Sequence, residues 1–192
     1  CTQPGKSGNL FTDNHEKLVT ELADIIIPTT AKSPGAKAAA VGPFILMMVK
    51  DCYPTDAQEA FVKGLDDLEA TSKKDFGKSF VEISVKEREQ LVTKLRDQTV
   101  ASQKEENDKI AQAEKLEQDT KGAKPEKEKA GNPMAVKEGP KKAPQFFAIA
   151  RDLTMLGFFT SEIGATQAYE YIAVPGRYDG CVDLKPGQRV WA

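Results

Sequence analysis

The fold of this chain is decided by residues 145–167, which read QFFAIARDLTMLGFFTSEIGATQ. In the first part of this stretch, apolar residues recur at spacings of three and four, which places them on one face of an α-helix. Other apolar residues widen that face, and Arg151 and Asp152 are the only charged residues before Glu162. Because a helix that is apolar nearly all round packs against other helices on several sides, the stretch predicts a central helix in an all-α bundle.

Four further helices are predicted upstream of this stretch, which makes a bundle of about five. The first covers residues 11–28 with a Leu and Ile stripe, and its His15, the single histidine, is interpreted as a solvated surface residue. The second is the apolar run FILMMVKDCY, the third covers residues 54–76, and the fourth begins after Ser84. Three pairs have the spacing of a capping box, namely Asp13 and Glu16, Thr55 and Gln58, and Ser84 and Glu87.

Residues 103–142 differ in composition from the rest of the chain, because Lys and Glu dominate and Gly, Pro and Asn appear in the second half. Alternating charges favour an extension of the fourth helix to about Leu116, and the remainder has little to bury and predicts a loop. Residues 1–10 are polar and rich in turn formers, as in a flexible tether. The chain is therefore interpreted as one helical domain, residues 11–192, with a charged insertion at about 103–142.

The C-terminal arm begins after Gln167 and has little helical pattern. It contains two Pro-Gly turns and an Asp179-Gly180 turn signal. Ordering each backbone residue costs about 1–2 kcal/mol, so a long irregular segment stays ordered only where something holds it. Tyr, Ile, Val, Leu and Trp residues in the arm supply apolar anchors. The surface that receives them is either the chain's own bundle or another protein, and both remain open.

The charge balance and the missing motifs exclude several function classes. The 192 residues carry 27 basic and 29 acidic side chains, so neither nucleic acid nor an anionic membrane surface is favoured as a partner. Residues 145–167 are too interrupted by polar residues to span a bilayer, which takes about 20 apolar residues. The sequence has no Walker loop, no G-x-G-x-x-G after a strand, no Cys/His cluster for zinc, and no nucleophile paired with His15. These absences favour a protein that is not an enzyme on its own.

Three cysteines bear on the compartment: Cys1, Cys52 and Cys181. A cysteine followed by a polar tether resembles the start of a bacterial lipoprotein after signal cleavage, which makes Cys1 a candidate lipid anchor. The alternative is an arbitrary chain boundary. Anchoring predicts the periplasmic side of the cell envelope, where disulfides persist, and a disulfide between Cys52 and Cys181 is then expected. Two buried free thiols are the other interpretation that stays open.

Two blocks of sequence resemble the gluconate 2-dehydrogenase subunit 3 family. ELADIIIPTT followed by SPGAKAAAVGPFI is similar to its N-terminal motif, and the C-terminal block contains TSEIGATQ, PGRYDG and PGQRVWA in order. The resemblance covers about residues 10–100 and 144–192, and the charged insertion departs from the family pattern. It implies a small, non-catalytic subunit of a membrane-associated sugar or sugar-acid dehydrogenase. Its partners would be a flavoprotein large subunit that holds FAD and a cytochrome c subunit that carries haem c.

Carried over to this chain, the resemblance implies that the C-terminal block docks the large subunit and supports its maturation or export. The residues implied in docking are Phe158, Thr160, Ser161, Glu162, Thr166, Gln167, Pro175, Gly176, Arg177, Tyr178, Arg189 and Trp191. No cofactor is expected in this chain, and a membrane contact is expected only through Cys1. The competing hypothesis is a stand-alone structural or binding lipoprotein of the cell envelope.

Overall fold

The computed structural model describes residues 10–120, 143–172, 174, 176, 180–181, 183 and 185–190. It contains five long helices and a short π-helical turn: α1 (Asp13–Ile26), α2 (Val41–Cys52), α3 (Thr55–Phe76), α4 (Val85–Thr120), α5 (Phe146–Phe159) and the turn Gly164–Ala168. No strand occurs among these residues. The prediction of an all-α bundle of about five helices with an irregular C-terminal arm is therefore confirmed.

Helix α5 lies at the centre of the bundle and packs against α1, α2 and α3, as its apolar pattern predicts. Phe61 of α3 is fully buried and makes edge-to-face contact with Phe146 of α5, with ring centroids 5.1 Å apart. Gly64 makes room for this contact, since a Cβ there would lie 2.2 Å from the ring of Phe146. Aromatic contacts of this kind add about 0.5–1.5 kcal/mol to the stabilisation from burial.

One face of α5 is exposed, contrary to the sequence-based prediction that the helix is covered nearly all round. Met155 and Leu156, which the periodicity assigns to the buried face, are 47% and 46% exposed. They lie near the end of α5, whereas Phe146, which contacts Gly64 of α3, is the first residue of the helix. The buried side chains of α5 are Phe146, Phe147, Ile149, Ala150, Leu153, Thr154 and Phe158, together with Gly157.

Helix ends follow local chemistry only in part. The Ser84–Glu87 capping box is confirmed, because Glu87 accepts hydrogen bonds from the amide and the hydroxyl of Ser84, at 2.8 and 2.7 Å. The predicted box at Thr55 and Gln58 is wrong. Gln58 Nε2 instead donates to the carbonyls of Lys50 and Tyr53, both at 2.9 Å, and so satisfies carbonyl groups at the end of α2.

The start of α1 differs from the prediction as well. Thr12 is the N-cap, its Oγ1 accepting from the amide of His15, and Nδ1 of His15 accepts from the amide of Thr12 in return. The imidazole is therefore not a solvated surface group: 11% of its side chain is exposed, and its Nε2 lies 3.2 Å from Asp66 of α3. A histidine at the third helical position does here what Glu or Gln does in the usual capping box.

The chain divides into two compact units, one formed by the described residues of 1–94 and 144–192, and the other by those of 95–143. The first unit contains α1, α2, α3, α5 and the arm. In the second, α4 continues to Thr120, slightly beyond the predicted Leu116, and Glu106 accepts from the amide of Ala143 at 2.9 Å. The predicted loop that forms the second half of the charged insertion lies mainly outside the described residues.

The predicted disulfide is not formed. Cys52, in the last turn of α2, and Cys181, in the arm, are both exposed, and no disulfide is present in the described part of the chain. Pairing would require the Cα atoms to come within about 7 Å, and sequence gives no indication of where an irregular arm passes. Cys1 lies outside the described residues. Among the helices that the structure describes, none has the length and apolar character needed to cross a membrane.

Candidate docking surface

The end of α5 leads into the arm through a turn built around Gly164. Ser161 Oγ donates to the carbonyl of Phe158 at 2.6 Å and accepts from the amide of Gly164 at 3.0 Å. Gly164 is buried, and a Cβ there would lie 1.8 Å from the carbonyl oxygen of Phe158. Since real Cβ atoms do not approach this closely, only glycine allows the π-helical turn that follows. The turn fixes the direction in which the chain leaves α5.

The end of the arm returns to the place where the arm begins. The amide of Glu170 donates to the carbonyl of Val190 at 2.9 Å. The guanidinium group of Arg189 donates to the carbonyl of Gln167 at 2.6 Å and to the carbonyl of Lys32 at 2.7 Å. These bonds close residues 170–190 into a loop, called the arm loop below. The arm is thus held by its own bundle at its base, one of the two possibilities that the sequence left open.

An aromatic contact supports the same junction. Tyr169, the residue before the arm loop, lies with its ring centroid 5.2 Å from that of Phe159, the last residue of α5. Phe159 in turn makes edge-to-face contact with the buried Phe158, also at 5.2 Å. The start of the arm loop is therefore connected to the core through two rings.

Exposed apolar side chains are concentrated on the arm loop and the neighbouring turn of α5. Each member of this set, called the apolar arm set, is at least 40% exposed: Met155, Leu156, Tyr171, Ile172, Val174 and Val190. Val174 is the most exposed of them, at 82%. Soluble proteins expose single apolar residues routinely, whereas a group on joined segments is typical of an interaction site.

The connection between α1 and α2 supplies the second attachment point of Arg189. Thr30 Oγ1 accepts from the amide of Ser33 at 3.1 Å, and Thr29 Oγ1 accepts from the amide of Gly35 at 3.0 Å. A Cβ on Gly35 would lie 2.5 Å from the amide nitrogen of Thr29, so this tight connection requires glycine. The hydrogen bonds fix the backbone on both sides of Lys32, whose carbonyl receives Arg189.

The docking residues implied by the family resemblance fall into three groups. Thr160, Glu162, Thr166, Gln167, Gly176 and Arg189 are exposed, and Ser161 is half-buried. Pro175, Arg177, Tyr178 and Trp191 lie outside the described residues. Phe158 is 1% exposed, so it belongs to the core and a partner cannot reach it without rearrangement of α5. Contact of the exposed residues with a partner stays a prediction.

Sequence reasoning missed two parts of this surface. The exposure of Met155 and Leu156 has no signal in the periodicity, because an apolar helix face has the same sequence pattern whether or not a neighbour covers it. The role of the α1–α2 connection had an indirect signal, since Thr29, Thr30 and Ser33 have side chains that fix turns by bonding nearby amides. Nothing in the sequence indicates that its carbonyl receives Arg189.

Among the residues that the structure describes, no three His, Cys, Asp or Glu side chains come together as a metal site would require. Away from the arm loop, a shallow groove of about 300 Å³ lies between the start of α1 and α2 and is lined by side chains such as Phe11, Glu16 and Met47.

Burial, the Asp152 carboxylate and Cys52 raise the pKa of the Tyr53 phenol, which stays protonated at neutral pH.

Comparison with known proteins gives a match to a family model. The family model described as Gluconate 2-dehydrogenase subunit 3 matches residues 13–176, which include α1 to α5 and the start of the arm loop. A search of the curated proteins and a search of the solved structures each gave no match.

Proposed function

We propose that this chain, which belongs to the gluconate 2-dehydrogenase subunit 3 family, is an accessory subunit that binds the flavoprotein large subunit of a sugar or sugar-acid dehydrogenase. The observation that carries the proposal is the apolar arm set: four exposed side chains on a loop whose two ends are held together, and two more near the end of α5. Exposure of this kind is costly for a chain that acts alone and useful for one that is covered by a partner.

The arrangement suits a stable interface. Apolar and aromatic side chains such as Tyr171 and Ile172 provide the fully buried centre of an interface, and polar side chains around them provide its rim. Thr160, Glu162 and Gln167 are exposed at the adjoining turn and are suited to that rim. A biological interface of this type buries at least about 1,000 Å² in total, which is compatible with an arm loop of this length and the last turn of α5.

In this proposal the redox chemistry belongs to the partners. The large subunit holds FAD and oxidises the sugar, and a cytochrome c subunit with haem c passes the electrons on. This chain supports the maturation or export of the large subunit, and the complex works on the periplasmic side of the cell envelope. Fractionation of native cells tests the location, with recovery in the envelope fraction as the expected result.

Co-purification tests the subunit role. The chain, tagged at its C-terminus and expressed in its native host, is expected to elute with a larger protein in a constant ratio. The eluate should show flavin absorbance and oxidise a sugar or sugar acid with an artificial electron acceptor. A chain that elutes alone at every detergent and salt concentration would contradict the proposal and favour a stand-alone structural or binding lipoprotein.

A further inference from the structure

We infer that Arg189 is a positioning residue: it closes the arm loop against the α1–α2 connection and so presents the apolar arm set to the partner in one arrangement. The inference rests on the proposed function and goes beyond it, since Arg189 acts within the chain instead of contacting the large subunit. It also links the two regions of sequence that carry the family resemblance, because Lys32 lies between the two stretches of the first and Arg189 lies within PGQRVWA of the second.

The contacts of Arg189 use the geometry particular to a guanidinium group. Its two terminal nitrogens donate to two different carbonyls, Gln167 at 2.6 Å and Lys32 at 2.7 Å, and these acceptors lie 22 and 157 residues away in sequence. A planar fork with fixed donor directions spans two acceptors, whereas a lysine ammonium is a single point charge on a flexible stem. The bond to Lys32 is the one that ties the arm loop to a part of the bundle distant in sequence.

Two backbone hydrogen bonds near Arg189 also help to hold the arm loop closed. The amide of Glu170 donates to the carbonyl of Val190, next to Arg189. Before Arg189 the chain turns at Gly187, whose φ of +78° suits glycine, and the amide of Gln188 donates to the carbonyl of Lys185 at 3.0 Å. The turn thus directs Arg189 back toward the bundle, and the Glu170–Val190 bond depends on that return.

Closure of the loop matters for binding because an open loop would lose conformational entropy on docking. Immobilising a side chain at an interface costs conformational entropy, and preorganisation removes part of that cost in advance. Arg189 contributes this preorganisation for the four members of the apolar arm set that lie on the arm loop, Tyr171, Ile172, Val174 and Val190. Its loss is therefore expected to weaken docking without removing any contact to the partner.

The first measurement is hydrogen exchange in the isolated full-length chain, where no partner is needed. Arg189→Ala and Arg189→Lys are both expected to raise the exchange rate of the Glu170 amide about tenfold, with the core amides of α5 unchanged. The matched control is Arg96→Ala, which removes an exposed arginine whose partner is the neighbouring Asp97. An exchange rate at Glu170 that stays at the wild-type value in Arg189→Ala would overturn the inference and leave the proposed function intact.

The second measurement is the affinity of each variant for the purified large subunit. Arg189→Ala and Arg189→Lys are expected to weaken binding about tenfold each, and Arg96→Ala to leave it unchanged. Gly187→Ala, which strains the turn before Arg189, should reproduce both the faster exchange and the weaker binding. Wild-type affinity in Arg189→Lys, or in a variant whose loop exchanges faster, would overturn the positioning role. Absence of binding by the wild-type chain would overturn the proposed function, and the docking role of Arg189 with it.

Discussion

At the scale of single residues, Gly164 shows how strictly one position is constrained. Its missing side chain allows the carbonyl of Phe158 to occupy the place where a Cβ would lie, at 1.8 Å. The obstacle is backbone and not the end of a flexible side chain, so it cannot move aside without changing the end of α5. The π-helical turn, and with it the direction of the arm, therefore depends on this glycine.

Gly164→Ala is accordingly expected to lower the free energy of unfolding by about 1–3 kcal/mol, the usual cost of forcing extra volume into a packed site. For a domain of this size, each kcal/mol corresponds to about 2–4 °C in Tm. Thermal unfolding followed by circular dichroism measures the change. Ala165→Gly in the same turn is the control and should cost no more than about 1 kcal/mol. Equal Tm values for Gly164→Ala and the wild type would contradict the described turn.

Individual side chains also show what sequence does not determine. Phe158 and Met155 are both apolar residues of one helix, yet one is buried and the other is half-exposed. The difference arises from which neighbours reach that turn of α5, a tertiary fact that periodicity does not contain. The sequence predicts that His15 is a surface residue, because no partner lies near it in sequence, whereas its partner Asp66 lies 51 residues away.

At the scale of the elements, Glu69 connects α3 to the segment that precedes α4. Its carboxylate accepts from the amide of Phe80 and the hydroxyl of Ser79, both at 3.1 Å, and lies 3.1 Å from Lys73. Burial raises the pKa of Glu69, but the Phe80 amide, the Lys73 ammonium and the Ser79 hydroxyl together outweigh it. The pKa therefore lies below its ordinary value.

A depressed pKa makes this connection sensitive to acid. The ionised carboxylate stabilises the fold in full above its unfolded-state pKa, about 4.3, and the contribution is lost as the pH falls through the lower pKa of the folded state. Glu69→Gln is expected to lower the free energy of unfolding by about 1–3 kcal/mol at pH 7.

The difference between Glu69→Gln and the wild type should shrink below about pH 4.3. Urea unfolding between pH 7 and pH 3 measures this difference in the free energy of unfolding. The control is Glu59→Gln, since Glu59 is exposed on the same helix. A difference that stays constant over this range would contradict a role for the charge.

Helix positions were the most predictable level of the structure. The start of α4 follows from Ser84 and Glu87, and the end of α3 from Gly77, whose φ of +71° is typical of a glycine that terminates a helix. Local chemistry decides these ends, so the sequence contains the information. The start of α1 is also local, but the sequence pattern pointed to Asp13 and Glu16, whereas a histidine takes the place of the usual Glu or Gln in the box that Thr12 forms. The contacts of Gln58 were not predictable, because they involve carbonyls at the end of the preceding helix.

At the scale of the whole molecule, the family and the helical bundle were predictable, and the course of the arm was not. Turn signals mark where the arm bends, but its attachment depends on a bond between Arg189 and Lys32, 157 residues apart. No local preference indicates such a pair. The sequence predicts that the apolar residues of the arm are anchors, whereas Tyr171, Ile172, Val174 and Val190 are exposed. The exposure of these side chains is the reason for proposing that the arm docks a partner.

The most direct test of that role replaces exposed apolar residues on and off the candidate surface. Met155→Asp/Val174→Asp changes one member of the apolar arm set on α5 and one on the arm loop. Met47→Asp/Val85→Asp is the matched control, since these residues are 53% and 58% exposed on α2 and α4. Both double variants should fold, because every replaced side chain is already in contact with water.

Titration calorimetry of both double variants with the large subunit identified by co-purification decides the question. The arm variant is expected to bind at least about tenfold more weakly than the wild type, because charges would be buried where apolar side chains should make the interface. The control variant is expected to bind like the wild type. Equal affinity of the two variants would contradict docking through the arm.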